Sequence, residues 1–216
     1  MSIQSSPEAA VAALFARDIA GHELTVLHND GVYRHVRFMN PRNSEFWFDL
    51  ITWPGCLTIR GDYGDAHTFS RERDMFPFFR SGRRWGINPH YWSEKLDGGR
   101  QSVQEYSEAL LRQIVVERFV EDARWGGVPA GAGKALRTWV LDEDLSDERQ
   151  ARNVLEDFAH KGYEFKDVWE WSFLDYNSRF LWACHGILAG IARYDRLRSY
   201  GLMALATSSQ REAGAL

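Results

Sequence analysis

Closely spaced turn signals between residues 23 and 71 constrain the fold of this chain more than any other feature of its sequence. They lie at Asn29-Asp30-Gly31, at 40–43 (NPRN), at Pro54-Gly55 and at 62–65 (DYGD). Glycine, proline, asparagine and aspartate favour tight turns, and the runs between these turns are rich in β-branched and aromatic residues. The pattern predicts five strands joined by short turns, which is an antiparallel meander.

The rest of the pattern separates a sheet-forming half from a helical half. The run 45–53 (EFWFDLITW) is almost continuously apolar, which is typical of a central strand covered on both faces. After Arg71 the apolar residues recur at helical spacing, and Asn88 before Pro89 is a helix-start signal. The fold class predicted is α+β, with an N-terminal antiparallel β-meander of about five strands packed against a mainly helical C-terminal half.

The domain organisation follows from length and from the absence of an obvious linker. A chain of 216 residues suits one large domain, and no stretch rich in proline, glycine and serine interrupts it. We therefore predict a single domain over residues 1–216. Within it we expect an N-terminal helix in 1–22, the antiparallel sheet in 23–72 and the helical part in 73–205. The small and polar tail 206–216 is predicted to be disordered.

Two long helices are predicted in the second half of the chain. Residues 102–125 are amphipathic, and the order Ser102-x-x-Glu105 matches a capping box that would start this helix. The last helix is predicted over about 167–199, because apolar residues recur there at spacings of three and four. Its apolar stripe consists of Trp169, Phe173, Tyr176, Phe180, Cys184, Ile187, Ile191 and Tyr194.

Four residues of this last helix bear on what surrounds it. Gly186 and Gly190 each cost roughly 1 kcal/mol of helix stability relative to alanine, which predicts the close approach of another element at that face. Cys184 lies on the apolar stripe and is interpreted as a small buried hydrophobe rather than a nucleophile. His185 is interpreted as a hydrogen-bonded histidine of the core or its edge rather than a catalytic base.

Composition and charge exclude several classes of protein. The net charge of −4 and the pI of about 6.0 argue against a surface built wholly for nucleic acid, although a local basic patch stays open. Cys56 and Cys184 lie outside any CxxC or Cys/His cluster, so a structural zinc site is not expected. The sequence has neither a signal-peptide pattern nor an apolar run of about 18 residues. We therefore expect a cytoplasmic protein without membrane association, with both cysteines as thiols.

The segment 127–136 (GVPAGAGKAL) resembles a phosphate-binding loop but lacks two of its essential residues. The P-loop needs a glycine where Val128 stands and a hydroxyl residue where Ala135 follows Lys134. The motifs GxSxG and HExxH, GxGxxG after a strand, and the EF-hand loop are missing as well. We therefore expect no cofactor and assign no catalytic or metal-binding residue, which favours a non-enzymatic protein and leaves an enzyme as the open alternative.

Four acidic residues and one histidine gather in the stretch 57–76 and raise the question of a metal or acid–base site. The alternative is a hairpin tip at 61–66 (GDYGDA), where glycines supply positive φ and aspartates bond the turn backbone, followed by a helix cap. We favour the hairpin and cap. His28 and His35 are predicted to come close across the first hairpin, as ordinary strand histidines rather than metal ligands. The residues that raise the question are Asp62, Asp65, His67, Glu72 and Asp74.

Arginines interleave with aromatic residues between Arg71 and Trp85, and this segment is a first candidate binding region. Such a combination can bind phosphate backbones and stacked bases, as in proteins that hold single-stranded nucleic acid. The alternative is that Phe76, Phe78 and Phe79 belong to the core and that the arginines only solvate the loop. The candidate binding residues, named here the arginine cluster, are Arg80, Arg83, Arg84 and Trp85.

Acidic residues dominate a second candidate region between Leu141 and Asp175, which holds eleven acidic and four basic residues. Part of this charge is explained by helix capping, because carboxylates stabilise helix N-termini. The region is either a solvated face or a docking surface for a basic partner. The candidate binding residues, named here the acidic cluster, are Asp142, Glu143, Asp144, Asp147 and Glu148.

Five segments carry a resemblance that extends over roughly 14–198: FWFDLITWPGCLTIRGDYGD, FSRERDMFPFFR, INPHYWSEKL, LLRQIVVERFV and WEWSFLDYNSRFLWACHGILAGIARYD. As a set they resemble a family of uncharacterised proteins that recur in bacteriophage and prophage genomes. The resemblance implies an accessory protein of a mobile element that acts inside a bacterial cell. It transfers no catalytic residue to any position of this chain.

Three functions therefore remain as hypotheses from the sequence. The first is a non-enzymatic protein that binds a host protein, including a component of host defence, through the acidic cluster. The second is a nucleic-acid-binding protein, or a metal-dependent enzyme acting on nucleic acid, that uses the arginine cluster with Asp62, Asp65 and His67 as metal ligands. The third is a homo-oligomeric structural or regulatory protein.

Overall fold

The computed structural model describes residues 7–80 and 86–202. It begins with helix α1 (Pro7–Asp18), and five antiparallel strands follow. Their order in the sheet is their order in the chain, with each strand paired to the next. The α+β prediction with an N-terminal five-stranded meander is therefore confirmed. The strands are β1 (Glu23–Asp30), β2 (Tyr33–Asn40), β3 (Asn43–Trp53), β4 (Cys56–Gly61) and β5 (Gly64–Ser70).

Helices dominate the chain after the sheet, with short strands between them. Strand β6 pairs with β9 and strand β7 pairs with β8 in two small ladders. The helices are α2 (Met75–Arg80), α3 (Pro89–Ser93), α4 (Glu108–Arg124), α5 (Ala132–Leu136), α6 (Glu148–Glu156) and α7 (Ser178–Ser199), with 3₁₀ turns at Arg100–Val103 and Val168–Glu170 and a π-helical turn at Arg137–Leu141. The short strands are β6 (Gln104–Tyr106), β7 (Ala159–His160), β8 (Tyr163–Glu164) and β9 (Leu174–Tyr176).

The contacts of the chain group into two compact units. One consists of the residues up to Val103 together with those from Tyr176 onward, and is named here the sheet unit. The other, Gln104–Asp175, is named the acidic unit. The prediction of a single domain stays a prediction, and the tail 206–216 lies outside the described residues. None of the helices described is long and apolar enough to cross a membrane.

The core of the sheet unit lies between one face of the sheet and helix α7. Side chains alternate along β3 and β4 so that Leu50 and Ile59 are fully buried on this face. A Cβ atom added to Gly186 would lie 2.8 Å from Cδ1 of Ile59, and one added to Gly190 would lie 2.5 Å from Cδ1 of Leu50. The predicted close approach at these two glycines is confirmed: helix α7 lies directly on the sheet.

Helix α7 also confirms the interpretation of Cys184, which is fully buried among apolar side chains. Burial raises the pKa of its thiol well above the ordinary value, so the thiol stays protonated. The prediction for His185 is only partly right. Its ring stacks on Phe15 with 5.7 Å between centroids, yet its Nε2 atom is buried without a hydrogen-bond partner in the described part of the chain.

The other face of β3 is only partly covered, so the prediction of burial on both faces holds for part of the strand. Ile51 is half-buried there, and Trp53 is 38% exposed. Asp49 on this same face is nevertheless fully buried. Its carboxylate accepts two hydrogen bonds from Arg37, at 2.8 and 2.9 Å, which compensate for the loss of water.

The predicted start of the long helix at Ser102 is wrong. Helix α4 begins at Glu108, and the Ser107 side chain caps it by accepting a hydrogen bond from the Leu110 backbone N–H at 3.2 Å. Ser102 instead lies in a 3₁₀ turn and donates to the Gly99 carbonyl at 2.7 Å. The physical reason is the β6–β9 ladder, which holds the backbone extended immediately before Ser107.

The predicted start of the last helix near residue 167 is also wrong. Helix α7 begins at Ser178, and Asn177 caps it by accepting from the Phe180 backbone N–H at 2.8 Å. Strand β9 occupies part of the span predicted as helical. Trp169, assigned to the apolar stripe, is therefore outside the helix and is 71% exposed. From Phe180 to Tyr194 the stripe is buried as predicted.

The acidic unit has a hydrophobic core of its own. Helix α4, the π-helical turn and helix α6 each contribute fully buried apolar side chains to it. At about 1.5–3 kcal/mol for each large apolar side chain removed from water, such a core stabilises the unit substantially. Its fully buried members are Leu111, Val115, Val140, Leu145, Ala151, Leu155 and Phe173.

Candidate functional site

The acidic cluster lies in and after the loop that joins the π-helical turn to helix α6. Asp147 is the N-cap of α6 and accepts a hydrogen bond from the Gln150 backbone N–H at 2.8 Å. Asp144 accepts from the Ser146 backbone N–H at 3.0 Å. Hydrogen bonds from the Ser146 side chain and backbone lower the pKa of Asp144, so its carboxylate is charged at neutral pH.

The remaining members of the acidic cluster also serve the local structure. Glu148 forms an ion pair with Arg152 one helical turn later, at 2.8 Å. Asp142 lies 3.8 Å from the Arg137 guanidinium and is largely exposed. The backbone carbonyl of Glu143 accepts a hydrogen bond from Arg112, which leaves its side chain exposed. The loop thus brings the five carboxylates together, and four of them are exposed to solvent.

Three strongly exposed tryptophans belong to the same unit, and the sequence did not identify them as surface residues. Trp125 is 86% exposed, Trp169 is 71% exposed and Trp139 is 52% exposed. Trp139 lies near His160, with 5.9 Å between ring centroids. Large exposed aromatic side chains are enriched among residues that dominate protein–protein binding energy. Only Trp125 had a sequence signal for this exposure, because it directly precedes Gly126-Gly127.

A cleft of about 580 Å³ opens on the acidic unit beside Trp125. The Arg118 guanidinium lies over the Trp171 ring, 5.5 Å from its centroid, and forms part of the wall. Tyr163 donates a hydrogen bond to Asp122 at 2.8 Å. Burial and this carboxylate raise the pKa of Tyr163, so the phenol stays neutral. The ionisable side chains of the lining are Arg118, Asp122, Tyr163, Glu164, Lys166, Asp167 and Glu170.

The division into two units coincides with a division of charge. Residues 104–175 contain 16 acidic and nine basic residues, a net charge of −7, whereas the rest of the sequence contains 14 acidic and 17 basic residues, a net charge of +3. The acidic cluster, the exposed tryptophans and the cleft all belong to the negative unit. This unit therefore presents apolar anchors within an anionic surface, which suits a cationic binding partner.

The arginine cluster is only partly within the described structure. Arg80 forms a bidentate ion pair with Asp195, at 2.7 and 2.9 Å, so its guanidinium is engaged inside the sheet unit. Arg83, Arg84 and Trp85 lie outside the described residues. The neighbouring aromatic residues Phe76, Phe78 and Phe79 are buried in the core, as the alternative interpretation predicted.

Among the acidic residues of the stretch 57–76, Asp74 serves the local structure. Asp74 pairs with Arg34 at 2.8 Å and accepts from the Phe76 backbone N–H at 3.0 Å, as expected of a cap. Strands β4 and β5 flank the predicted turn, which confirms the hairpin. Nowhere in residues 7–80 and 86–202 do three or more His, Cys, Asp or Glu side chains form a group that could hold a metal ion.

His28 and His35 are direct cross-strand partners, as predicted. The sequence did not reveal that Asp49 adds a carboxylate beside His35, with its Oδ2 atom 3.1 Å from Nε2 of His35. Burial alone would raise the pKa of Asp49, but the hydrogen bonds from Arg37 and the nearby His35 ring outweigh it and lower this pKa. The group is an ion-paired cluster on the partly covered face of the sheet.

Comparisons with protein-family models, with curated proteins and with solved structures found no match to this chain.

Proposed function

We propose that this chain is a non-enzymatic binding protein of the phage or prophage type, which acts inside a bacterial cell by occupying a host protein. Its acidic unit would be the recognition module, and a component of host defence is the kind of target that this role implies. The observation that carries the proposal is the concentration of negative charge and exposed tryptophan in one unit.

The physical argument concerns how such a surface gains affinity and selectivity. Carboxylates on the surface of the acidic unit attract a basic partner and raise its rate of association. Trp125 and Trp139 then supply the apolar area that holds the complex, and lysine or arginine side chains can lie over their rings. The partner implied by this chemistry is a protein with a positively charged patch.

The capping roles of Asp144 and Asp147 are compatible with binding. Each uses one carboxylate oxygen for a backbone N–H, and a carboxylate offers further acceptor sites on its second oxygen. Because the hydrogen bonds hold these side chains in place, less conformational entropy is lost when a partner binds. The loop is thus pre-organised for recognition.

The test is a pull-down from host lysate with the wild type and with a variant in which the acidic cluster is neutralised as Asp→Asn and Glu→Gln. Asparagine retains the ability to cap a helix, so the variant should fold. We expect the specific partner to be lost. The matched control neutralises five exposed carboxylates of the sheet unit, and it should retain the partner. These control positions are Glu8, Glu23, Asp30, Glu45 and Glu72.

Equal recovery of partners by the wild type and by the variant lacking the acidic cluster would contradict the proposal. A second pair of variants, Trp125→Ala and Trp139→Ala, separates the apolar anchor from the charge. We expect each to weaken binding by about 2 kcal/mol, because truncation of a hot-spot tryptophan typically has this effect. Circular dichroism of each variant establishes that the fold is intact.

A second candidate function, nucleic-acid binding, is favoured by one arrangement on the partly covered face of the sheet. The guanidinium groups of Arg37 and Arg60 both lie over Trp47, at 4.9 and 5.4 Å from its ring centroid. Arginine and tryptophan on an open sheet can contact phosphates and stacked bases. The discriminating experiment is a titration with single-stranded DNA and RNA at increasing salt. Binding that weakens with salt and falls in Arg60→Gln would support this alternative.

A further inference from the structure

A small pocket in the sheet unit lies at the N-terminus of helix α7. Its volume is about 300 Å³. Strand β5 forms one wall with His67, and the 3₁₀ turn contributes Ser102. The cap and first turn of α7 contribute Asn177 and Arg179. All of these elements belong to the sheet unit, and none of them is part of the acidic surface described above.

His67 is the unusual member of this pocket. The residue is only 8% exposed, and its Nε2 atom is buried without a hydrogen-bond partner in the described part of the chain. Phe180 contacts it edge-on, with 5.6 Å between ring centroids. Buried polar groups in folded proteins nearly always have a hydrogen-bond partner. The imidazole in the wall of this pocket therefore has hydrogen-bonding capacity that no group in the described part of the chain satisfies.

The other groups of the pocket are mainly hydrogen-bond donors. The Asn177 side-chain oxygen accepts from the Phe180 backbone N–H at 2.8 Å, so its amide NH₂ remains to donate. The backbone N–H groups of Ser178 and Arg179 lie in the first turn, where a helix offers them no internal acceptor. Helix α7 is 22 residues long, and its N-terminus carries a partial positive charge.

Arg179 packs against the hairpin formed by strands β4 and β5. A Cβ atom added to Gly64 would lie 2.7 Å from Cδ of Arg179, so the glycine allows the arginine stem to lie on the turn. Arg179 makes no ion pair with any described residue, and it is exposed. Among the described residues its guanidinium is therefore an unpaired cation near the N-terminus of α7.

The pocket also contains acceptor groups, of which Asp65 carries a charge. Asp65 is exposed and lines the pocket, and its negative charge opposes an anion. The Ser102 hydroxyl already donates to the Gly99 carbonyl at 2.7 Å, so it offers only lone pairs. The donors from Asn177, Arg179 and the helix backbone outnumber them. We propose that this pocket binds a phosphate group, either as the free oxyanion or as part of a phosphorylated small molecule.

The test uses the full chain and follows the imidazole resonances of His67 by NMR during titration with inorganic phosphate and, separately, with ribose 5-phosphate. We expect saturable shifts of His67 with both probes. Tighter binding of the ester identifies a phosphorylated molecule as the ligand, and equal affinity identifies the free oxyanion. Absence of saturable binding of both probes overturns the proposal.

Variants establish that the binding occurs in this pocket. Arg179→Gln should weaken binding about tenfold, as expected for loss of a charge-assisted hydrogen bond. Arg196→Gln removes the same charge from the exposed last turn of the same helix and should leave the affinity unchanged. Asp65→Asn should tighten binding because it removes the opposing charge. Equal effects of Arg179→Gln and Arg196→Gln, or weaker binding by Asp65→Asn, would refute the assignment of an oxyanion.

Discussion

Asp49 and Arg37 form a bidentate ion pair, at 2.8 and 2.9 Å, in which the carboxylate is fully buried on the partly covered face of the sheet. We predict that Asp49→Asn lowers the free energy of unfolding at pH 7 by about 2 kcal/mol, because charge-assisted hydrogen bonds are replaced by weaker ones. Urea denaturation measures this change. Asp30→Asn, at an exposed strand end, is the control and should change the free energy by less than about 0.5 kcal/mol.

The same carboxylate makes the stability depend on acidity. The pKa of Asp49 is lowered in the folded protein, so the unfolded chain binds its proton more readily. The stability that the Asp49 carboxylate contributes is present above its pKa in the unfolded chain, near 3.8. This stability is lost as the pH falls through the pKa of Asp49 in the folded protein. Denaturation curves between pH 6 and pH 3 should therefore show a smaller loss of stability for Asp49→Asn than for the wild type. Equal losses would contradict this role.

His185 should cause a second loss of stability on acidification, at a higher pH than the loss caused by Asp49. Burial lowers its pKa, so the folded protein holds the imidazole neutral while the unfolded chain protonates it. The sign is the same as for Asp49: stability falls as the pH drops below about 6.5, the ordinary histidine value. We expect His185→Phe to reduce the difference in unfolding free energy between pH 7 and pH 5. Thermal unfolding at both pH values measures this difference in the two proteins.

The contact between Gly190 and the sheet predicts that Gly190→Ala lowers stability, whereas helix propensity alone predicts that it raises stability. At an open helical position Gly→Ala raises stability by roughly 1 kcal/mol. Here the new methyl group would lie 2.5 Å from Cδ1 of Leu50, so we expect Gly190→Ala to lower stability by about 1–3 kcal/mol.

The double variant Gly190→Ala/Leu50→Ala tests whether Leu50 is the cause of the Gly190→Ala effect. Removal of the Leu50 side chain relieves the shortest contact of the added methyl group and leaves two Phe38 ring carbons at 3.2 Å, so its destabilising effect should become smaller in that background. Additive losses in this double-mutant cycle would show that the contact is not responsible.

The N-cap of helix α4 gives a direct comparison between two serines. Ser107→Ala should cost about 1 kcal/mol, because the Leu110 backbone N–H loses its acceptor. Ser102→Ala should cost less, since the Ser102 hydroxyl is exposed and only donates to the Gly99 carbonyl. Chemical denaturation of the two variants distinguishes them. A larger loss of stability for Ser102→Ala than for Ser107→Ala would contradict this assignment and support the capping box that the sequence predicts at Ser102.

The errors of the sequence-based predictions share one physical cause. Ser102 matched a capping box and Trp169 continued an apolar stripe. Both patterns depend only on residues that are close together in the sequence. The pairing of β6 with β9 joins residues about 70 positions apart and holds both segments extended, which overrides the local helical preference. The Asp49–His35 contact was missed for the same reason, because the partners lie on different strands.

The sequence by itself determined the features that depend on near neighbours. Turn residues every few positions specified the five-stranded meander, and the glycines of α7 indicated its contact with the sheet. Only the tertiary structure decided which charges are paired, which tryptophans are exposed, and that His67 meets the N-terminus of α7 in one pocket. These properties depend on distances between remote segments, and a pattern of neighbouring residues carries no information about such distances until the chain has packed.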